Sequence, residues 1–237
     1  MTNRKPVICF MDIETSYMLL AGFGMYDQNF TPKNIIQDWH MICASWKFQG
    51  DDKVYNVVGN GKNDKKIAKT LHDVINGSDL LVWHNGDKFD LKKMRARMIF
   101  HGLDPLRPVP TVDTLKVSRK MFGFSSHRLG YIAKFLGLID QKGKPLDDAW
   151  LDEIKGRSGV AKAMLPYCDQ DVRTLEAVYN RLKPHMLNHP SMAALIDIDE
   201  RGSCNVCTST RLTKRGFTVT KTKKKQRWQC QECGCWK

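Results

Sequence analysis

Long apolar runs are missing from this chain. No stretch of its 237 residues approaches the roughly 18–20 consecutive apolar residues that span a bilayer. The N-terminal segment has only a short apolar stretch, residues 7–11, before Asp12 interrupts it, so it lacks the form of a secretory signal peptide. Both absences predict a protein of the cytoplasm.

The conditions for disulfide bonds are missing too. Eight cysteines without a secretory signal favour reduced thiols or metal ligands over disulfides. Cys9, Cys43 and Cys168 stand in apolar segments, and we predict that they are small core residues. The remaining cysteines are concentrated near the C-terminus and need a separate explanation.

Acidic residues are scarce in that C-terminal segment. Residues 203–237 contain nine Lys and Arg but one acid, Glu232, so they carry +8 of the chain's formal charge of +13. Four metal-bound thiolates and one Zn²⁺ would lower this charge by about two and leave the asymmetry in place. A solvated surface is the ordinary explanation, but the coincidence with the cysteines favours a polyanionic partner.

The C-terminal cysteines form two pairs of equal spacing. Two residues separate Cys204 from Cys207 and Cys230 from Cys233, and 22 residues lie between the pairs. The arrangement resembles a four-cysteine zinc ribbon, which implies one tetrahedral Zn²⁺. About 35 residues bury too little apolar surface to fold alone, so the metal would be structural. Disulfides are the alternative, and Cys235 is a second candidate for the place of Cys233.

The rest of the chain has the pattern of an α/β protein. Apolar runs predict five strands, at residues 7–13, 40–48, 53–58, 79–84 and 109–117. Helical spacing predicts four helices, at residues 67–76, 87–100, 128–136 and 166–183. Asp87 is the expected N-cap of the second helix, and residues 16–37 are expected to be a long connection. This order predicts a mixed sheet with helices on its faces.

Two acids stand at the end of the first predicted strand. Asp12 and Glu14 are two residues apart, so their side chains point to the same face of the sheet. Taken alone, the pair is explained equally well by a strand end that reaches solvent. Its significance therefore depends on the other acids of the chain.

Two further acids lie on apolar helix faces. Asp90 falls on the same side as Met94 and Met98, and Asp171 shares a stripe with Leu175 of the last long helix. A buried carboxylate is costly unless it has a cation, a donor or a proton. Taken singly, Asp90 could be an acid of a first helical turn and Asp171 could form a salt bridge.

Together, these acids and their neighbours resemble a known set of motifs. The order Asp-x-Glu from Asp12, Asn-x3-Phe-Asp from Asn85 and Tyr-x3-Asp from Tyr167 resembles the DEDDy 3′–5′ exonucleases of the ribonuclease H-like superfamily, which includes the proofreading domains of DNA polymerases. The resemblance covers residues 5–185. It implies a mixed five-stranded sheet flanked by helices, and Tyr167 indicates the subtype.

The resemblance also implies roles for the matched residues. Tyr167 would orient the attacking water, and Asn85 would support the site or contact the strand. Two Mg²⁺ or Mn²⁺, about 4 Å apart, would generate a hydroxide and stabilise the departing 3′ oxygen. Cleavage would release a nucleoside 5′-monophosphate. The implied ligands of these ions are Asp12, Glu14, Asp90 and Asp171.

Cations of the C-terminal segment are predicted to contact nucleic acid. They are interleaved with Phe217 and Trp228, a composition that can neutralise backbone phosphates without reading sequence. A contact with another protein is the competing role. The predicted phosphate contacts are Arg211, Lys214, Arg215, Lys223, Lys224, Lys225 and Arg227.

Several other residues have weaker claims. Asp169 faces away from Asp171 on the helix, and Asp113 ends a core strand, where we expect it to support the site rather than bind metal. His127 and Arg128 are candidates for phosphate contact, although a loop before a helix is an ordinary place for both. Residues 20–30 either contribute to the binding groove or form a plain surface loop.

The preferred interpretation divides the chain into residues 1–187 as a nuclease domain, 188–202 as a linker and 203–237 as a zinc ribbon. The protein would degrade DNA from single-stranded 3′ ends in a bacterial or phage-infected cell, and the ribbon would aid binding. A chain of this length leaves no room for a polymerase domain, so proofreading would require a polymerase in trans. The rivals are an exoribonuclease and a catalytically silent DNA-binding accessory module of replication.

Overall fold

The first strand is buried on both of its faces. The computed structural model of the chain describes residues 4–138, 148–196 and 202–237. In it, strand β1, Ile8–Thr15, directs Cys9 and Met11 into one hydrophobic cluster and Ile8 and Phe10 into another on the opposite face. Because side chains alternate along a strand, buried apolar side chains on both faces place β1 in the middle of a layered fold.

A mixed sheet forms around this strand. The strands that follow are β2 Leu19–Leu20, β3 Ile35–Gln37, β4 Met41–Phe48, β5 Tyr55–Val58, β6 Leu80–Trp83 and β7 Thr111–Asp113. The central sheet has the order β5-β4-β1-β6-β7, whereas β2 and β3 pair separately. β4 is antiparallel to β1 and β5, and β6 is parallel to β1 and β7. The predicted mixed five-stranded sheet is thereby confirmed.

Helices cover both faces of the sheet. They are α1 Lys65–Asn76, α2 Asp90–Phe100, α3 Thr114–Met121, α4 Leu129–Phe135, α5 Ala149–Ile154, α6 Val160–Leu182 and α7 Met192–Leu195. Leu71 of α1 and Met94 of α2 pack with Met11 on one face. Leu175 and Tyr179 of α6 pack with Phe10 on the other. Within the described residues, no helix is long and apolar enough to cross a membrane.

A two-stranded hairpin follows near the C-terminus. Its strands are β8 Leu212–Val219 and β9 Lys224–Cys230, which pair antiparallel. The hairpin's cysteine end contacts the α/β part, because the thiol of Cys235 donates to the carbonyl of Lys183 at 3.3 Å. The predicted linker contains α7, whose Met192 is buried in the same cluster as Phe10. Residues 197–201 of that linker lie outside the described residues.

The start of α2 differs from the prediction that Asp87 caps it. The helix begins at Asp90, and the carboxylate of Asp87 instead accepts from Trp83 Nε1 and Thr111 Oγ1, both at 2.8 Å. Lys116 Nζ also donates to it at 2.7 Å. Three donors thus outcompete the local cap, and sequence spacing does not reveal the two that come from distant segments, Thr111 and Lys116.

Other boundaries also move. The strand predicted at residues 109–117 is only Thr111–Asp113, because Asp113 accepts from Leu115 N and Lys116 N and so begins helix α3. The helix predicted to start at Pro166 starts six residues earlier, at Val160 after Gly159, so Pro166 lies inside it. The long connection at residues 16–37 contains the short pair β2 and β3.

Candidate active site and cysteine cluster

The parallel strands bring residues of two motifs, together with Asp113, to one edge of the sheet. Asp12 lies near the end of β1, Asn85 follows β6, and Asp113 ends β7. Because the carboxyl ends of parallel strands meet at the same edge, these residues are neighbours. The backbone N–H of Asn85 donates to Asp113 Oδ1 at 2.9 Å. Asp113 therefore supports the turn after β6, as we expected from its position.

That turn has a conformation that few sequences allow. Asn85 adopts a positive φ of 70°, which asparagine tolerates better than most residues. A Cβ at the next residue, Gly86, would overlap the side chain of Trp83. Glycine is therefore required there by close approach. The turn aims Asn85 at the cavity beside the acids and leads directly into α2.

The four predicted acids converge around Asp12. Burial raises the pKa of Asp12 well above its ordinary value, and the nearby negative charges of Asp90, Glu14 and Asp171 raise it further. Asp12 and Glu14 continue the side of β1 that carries Phe10, the side on which α6 packs. A group of carboxylates that oppose one another's ionisation is a place where a cation is strongly favoured.

Asp90 is held against the backbone of β1. Asp90 is 4% exposed, and burial raises the pKa of its carboxyl to about 7. The negative charge of Asp113 acts in the same direction. Hydrogen bonds from the N–H of Asp90 itself and from the N–H of Ile13 act in the opposite direction. The first turn of α2 is thereby fixed beside Asp12.

Helix α6 brings the last acid to the site. Asp171 is 9% exposed and lies on the helix face that packs on the sheet, together with Leu175. One turn earlier, the thiol of Cys168 donates to Asp12 Oδ2 at 3.5 Å. Tyr167, half-buried, precedes it, and its ring packs edge-on against Trp150 with the centroids 6.5 Å apart.

A cavity of about 650 Å³ opens beside these acids. Asp12 and Asp171 line one part of it, and the exposed side chains of Arg119 and Arg128 line another. His84, Asn85 and His127 also contribute to its wall. Acids that can hold metal ions and arginines that can bind phosphate therefore share one opening.

The acids fit the hard divalent cations that the sequence implies. Carboxylate oxygens are the ligands that Mg²⁺ and Mn²⁺ prefer. Among the described residues, the group of possible metal ligands whose ligand atoms all lie within 4.8 Å of one another is formed by four cysteines. The carboxylate oxygens of the four acids are therefore farther apart than the sulfurs of that group. A pair of ions about 4 Å apart would need a ligand set of that wider kind.

The four paired cysteines form a compact cluster. Cys204 Sγ lies 3.6 Å from Cys233 Sγ, and Cys207 Sγ lies 3.5 Å from Cys230 Sγ. A tetrahedral Zn²⁺ with Zn–S bonds of about 2.3 Å separates its sulfurs by about 3.8 Å, so the arrangement fits zinc closely. Cys233 rather than Cys235 belongs to the cluster, since Cys235 donates to Lys183 O.

The comparisons with known proteins agree with this architecture. The profile of a family described as the RNase H superfamily matches residues 9–183. The chain belongs to the RNase H superfamily. The resemblance noted in the sequence is thus confirmed at the level of the superfamily, and the matched residues contain all four acids and Tyr167.

Two polymerases are similar to this RNase H-type chain. It is 32% identical, over 149 residues, to the protein named DNA polymerase III PolC-type of Ureaplasma parvum serovar 3, and the match covers 62% of the chain but 10% of that polymerase. It also resembles the structure of the family B DNA polymerase from the hyperthermophilic archaeon Pyrobaculum calidifontis, with a TM-score of 0.57 and 14% identity over 76% of the chain and 25% of that polymerase. The second likeness concerns the fold alone. The chain thus corresponds to a small part of each protein.

The RNase H-type domain separates Asp169 from the acid cluster. Asp169 lies across α6 from Asp171 and accepts from Ser45 Oγ at 2.6 Å and from Asn56 Nδ2 at 3.1 Å. It therefore ties the helix to β4 and β5. Sequence reasoning missed Trp150, which packs against Tyr167, and Arg119, which lines the cavity. Arg119 was not identified because the strand predicted at residues 109–117 covered the start of helix α3, on which Arg119 lies.

The hairpin beyond the RNase H-type domain exposes its predicted cations. Three of them lie over aromatic rings: Lys224 over Phe217 at 4.3 Å, Lys214 over Trp228 at 5.5 Å and Arg227 over Trp236 at 5.1 Å. Arg211 is instead paired with Glu232. The other predicted phosphate contacts on the hairpin are Arg215, Lys223 and Lys225, all exposed.

Proposed function

We propose that this chain is a metal-dependent 3′–5′ exonuclease that removes nucleoside 5′-monophosphates from DNA, with single-stranded 3′ ends as its preferred substrate. The convergence of Asp90, Glu14 and Asp171 on Asp12 carries this proposal. Clustered carboxylates raise one another's pKa, and they destabilise the folded protein when they are ionised. A purely structural role gives no reason to place four acids together at this cost in stability. Two divalent cations would relieve that repulsion.

Each group of the site has a separate role in the proposal. The four acids would hold Mg²⁺ or Mn²⁺, and ions held there would supply activation of the attacking water at neutral pH and stabilisation of charge on the leaving oxygen. Tyr167, one turn before Asp171, orients the attacking water. Asn85 contacts the terminal nucleotide from the turn after β6, and Arg119 and Arg128 bind the phosphates that follow.

Supporting evidence for DNA comes from a relative. The chain is 32% identical, over 149 residues, to a segment of a protein that is named as a DNA polymerase. An enzyme that acts on a strand end needs cations along the strand, and the hairpin's exposed lysines and arginines supply them. We therefore propose that the zinc ribbon increases affinity for DNA without reading its sequence. A polymerase that works with this chain in trans remains a prediction.

A degradation time course tests the proposal. DNA with a 5′ label, matched RNA and a recessed duplex would be incubated with the protein in Mg²⁺, Mn²⁺ or EDTA, with Asp12→Ala as the control. We expect a metal-dependent ladder that shortens from the 3′ end, most rapidly on single-stranded DNA, and none with the variant. A faster ladder on RNA would identify an exoribonuclease, and intact substrates with retained binding would identify a binding module.

A further inference from the structure

An exposed aromatic segment follows the strand that carries Asp12. We define the aromatic ribbon as residues 17–37, which comprise β2, β3 and the loop between them. Tyr17 is 54% exposed, Phe23 105% and Tyr26 79%, and Phe30 is also exposed. The sequence of the ribbon contains two charged residues. Apolar surface that is left uncovered in this way marks an interaction site.

A line of rings joins the ribbon to the acid cluster. The ring of Tyr17 lies 6.4 Å from that of Trp150, and the ring of Trp150 lies 6.5 Å from that of Tyr167. Tyr167 stands one turn before Asp171 on α6. The ribbon is therefore continuous with the site rather than a separate patch.

Hydrogen bonds connect helix α5, which carries Trp150, to the start of the aromatic ribbon. Ser16, just before the ribbon, pairs its Oγ with Nδ1 of His40 at 3.0 Å, and Nε2 of His40 lies 3.4 Å from Glu153 Oε1. Glu153 and Trp150 share helix α5. The helix that carries Trp150 is thus attached to the residue that precedes the aromatic ribbon.

A cation also lies over a ring where the ribbon returns to the sheet. Lys93 Nζ is 3.6 Å from the ring centroid of Trp39, which follows β3. Lys93 belongs to α2, the helix that begins with Asp90. Aromatic rings with adjacent cations are the surface on which unpaired bases stack while their phosphates are neutralised.

We propose that the aromatic ribbon and Trp150 bind the unpaired bases that precede the 3′ end of a single strand. The proposal rests on the proposed function for the placement of that end at the acids. It explains a preference for unpaired strands, since base-paired nucleotides do not expose their faces to stack on the rings. It also makes affinity depend on the number of unpaired nucleotides. The continuity of the aromatic ribbon with the acids favours a nucleic-acid strand over a protein as the molecule that binds there.

Fluorescence anisotropy of a labelled twelve-nucleotide thymidine strand in EDTA tests the proposal without requiring hydrolysis. The full-length double variant Phe23→Ser/Tyr26→Ser changes two exposed rings and so leaves the fold intact. We expect its Kd to rise at least about tenfold, because loss of one stacked base weakens binding from roughly fivefold to more than a hundredfold. Ile99→Ser, a matched control that is 78% exposed on α2, should bind like the wild type.

A second measurement separates this proposal from the proposed function. With Mg²⁺ or Mn²⁺, the p-nitrophenyl ester of thymidine 5′-monophosphate reaches the acids but not the ribbon, so the double variant should hydrolyse it at the wild-type rate. If the wild type hydrolyses nothing while the double variant binds the strand more weakly, the exonuclease proposal and the placement of the 3′ end at the acids fail, but the binding of unpaired bases by the aromatic ribbon stands. If the double variant binds like the wild type, or the wild type does not bind the strand, the ribbon proposal is overturned and a protein becomes the favoured occupant.

Discussion

The thiol of Cys168 donates a hydrogen bond to Asp12 Oδ2 across 3.5 Å. This contact joins α6, which carries Tyr167 and Asp171, to the strand that carries the first two acids. The hydrogen bond lowers the pKa of Asp12 while burial and the neighbouring acids raise it. Cys168 is thus a core residue, as its apolar surroundings predicted, and it also contacts the acid cluster directly.

Replacement of Cys168 should therefore impair activity without unfolding the protein. We expect Cys168→Ala to lower kcat/KM on a single-stranded DNA end by about fivefold, because one buried hydrogen bond contributes about 1 kcal/mol. Cys168→Ser keeps a donor at the same place and should retain most of the activity. If the two variants lose kcat/KM equally, the effect is due to packing rather than to the hydrogen bond. Their melting temperatures, measured in parallel, show whether either variant is destabilised.

Two aspartates on α6 provide a matched pair for the acid cluster. Asp171→Asn should reduce cleavage by at least about 100-fold, since removal of a metal ligand costs more than the 10–100-fold typical of its supporting residues. Asp169→Asn changes the same type of residue but loses contacts to Ser45 and Asn56, away from the acids. It should cleave at close to the wild-type rate, and a comparable loss in both variants would contradict the assignment of Asp171.

Stability of the metal-free protein should fall as the pH rises through about 7. The folded-state pKa of Asp90 is raised from 3.8 to about 7, so the folded state holds its proton more tightly than the unfolded state. The resulting stabilisation is complete below the unfolded pKa of about 3.9 and disappears above about 7.

Thermal unfolding in EDTA at pH 5 to 8 measures this effect. Asp90→Asn lacks the titrating group, so its melting temperature should fall less over that range and exceed the wild-type value by several degrees at pH 8. Mg²⁺ should raise the melting temperature of the wild type at pH 8 more than that of the variant. Parallel curves for the two proteins in EDTA would show that Asp90 does not titrate as inferred.

Zinc content should distinguish two neighbouring cysteines. Cys233 belongs to the four-sulfur cluster, whereas Cys235 donates to the carbonyl of Lys183. We expect one zinc per chain in the wild type and in Cys235→Ser, and a loss of zinc in Cys233→Ser, as measured by atomic emission. Full zinc content in Cys233→Ser together with its loss in Cys235→Ser would exchange their roles.

The hairpin's cations should control the salt dependence of DNA binding. Changing Lys223, Lys224 and Lys225 to alanine should weaken binding and reduce the slope of log K against log salt by about two, since each phosphate neutralised on a single strand contributes about 0.7. Lys65, Lys66 and Lys69, exposed on α1, provide a control with the same change in charge. If both triple variants lose the same slope, the effect is one of net charge and the hairpin has no specific role.

Much of the site was accessible from local patterns. The two-residue step from Asp12 to Glu14 assigns both to one strand face, and the helical stripe of α6 predicts that Asp171 is buried. The equal spacing of the cysteine pairs predicts their cluster. Each of these inferences needs only the geometry of a single element or a short motif, and the structure agrees with them.

The features that the sequence did not predict depend on contacts between residues that are distant in the chain. Asp87 was predicted to cap α2, yet it accepts from Thr111 and Lys116, which lie 24 and 29 residues further along the chain. The contact of Trp150 with Tyr167 has no signal in the sequence either. In both cases the side chain could make several different contacts, and tertiary packing decides which of them forms.

The sequence by itself determined the identity of the acids, the paired cysteines and the alternation of strands and helices, because these follow from residue spacing along one element. Tertiary structure alone decided that the carboxyl ends of β1, β6 and β7 share an edge, that Cys168 and Ile13 donate to neighbouring acids, and that rings lead outward from Tyr167. The physical reason is that a carboxylate's pKa and a ring's exposure depend on what lies around them in space. Those surroundings come from segments more than a hundred residues apart, as between Asp12 and Cys168.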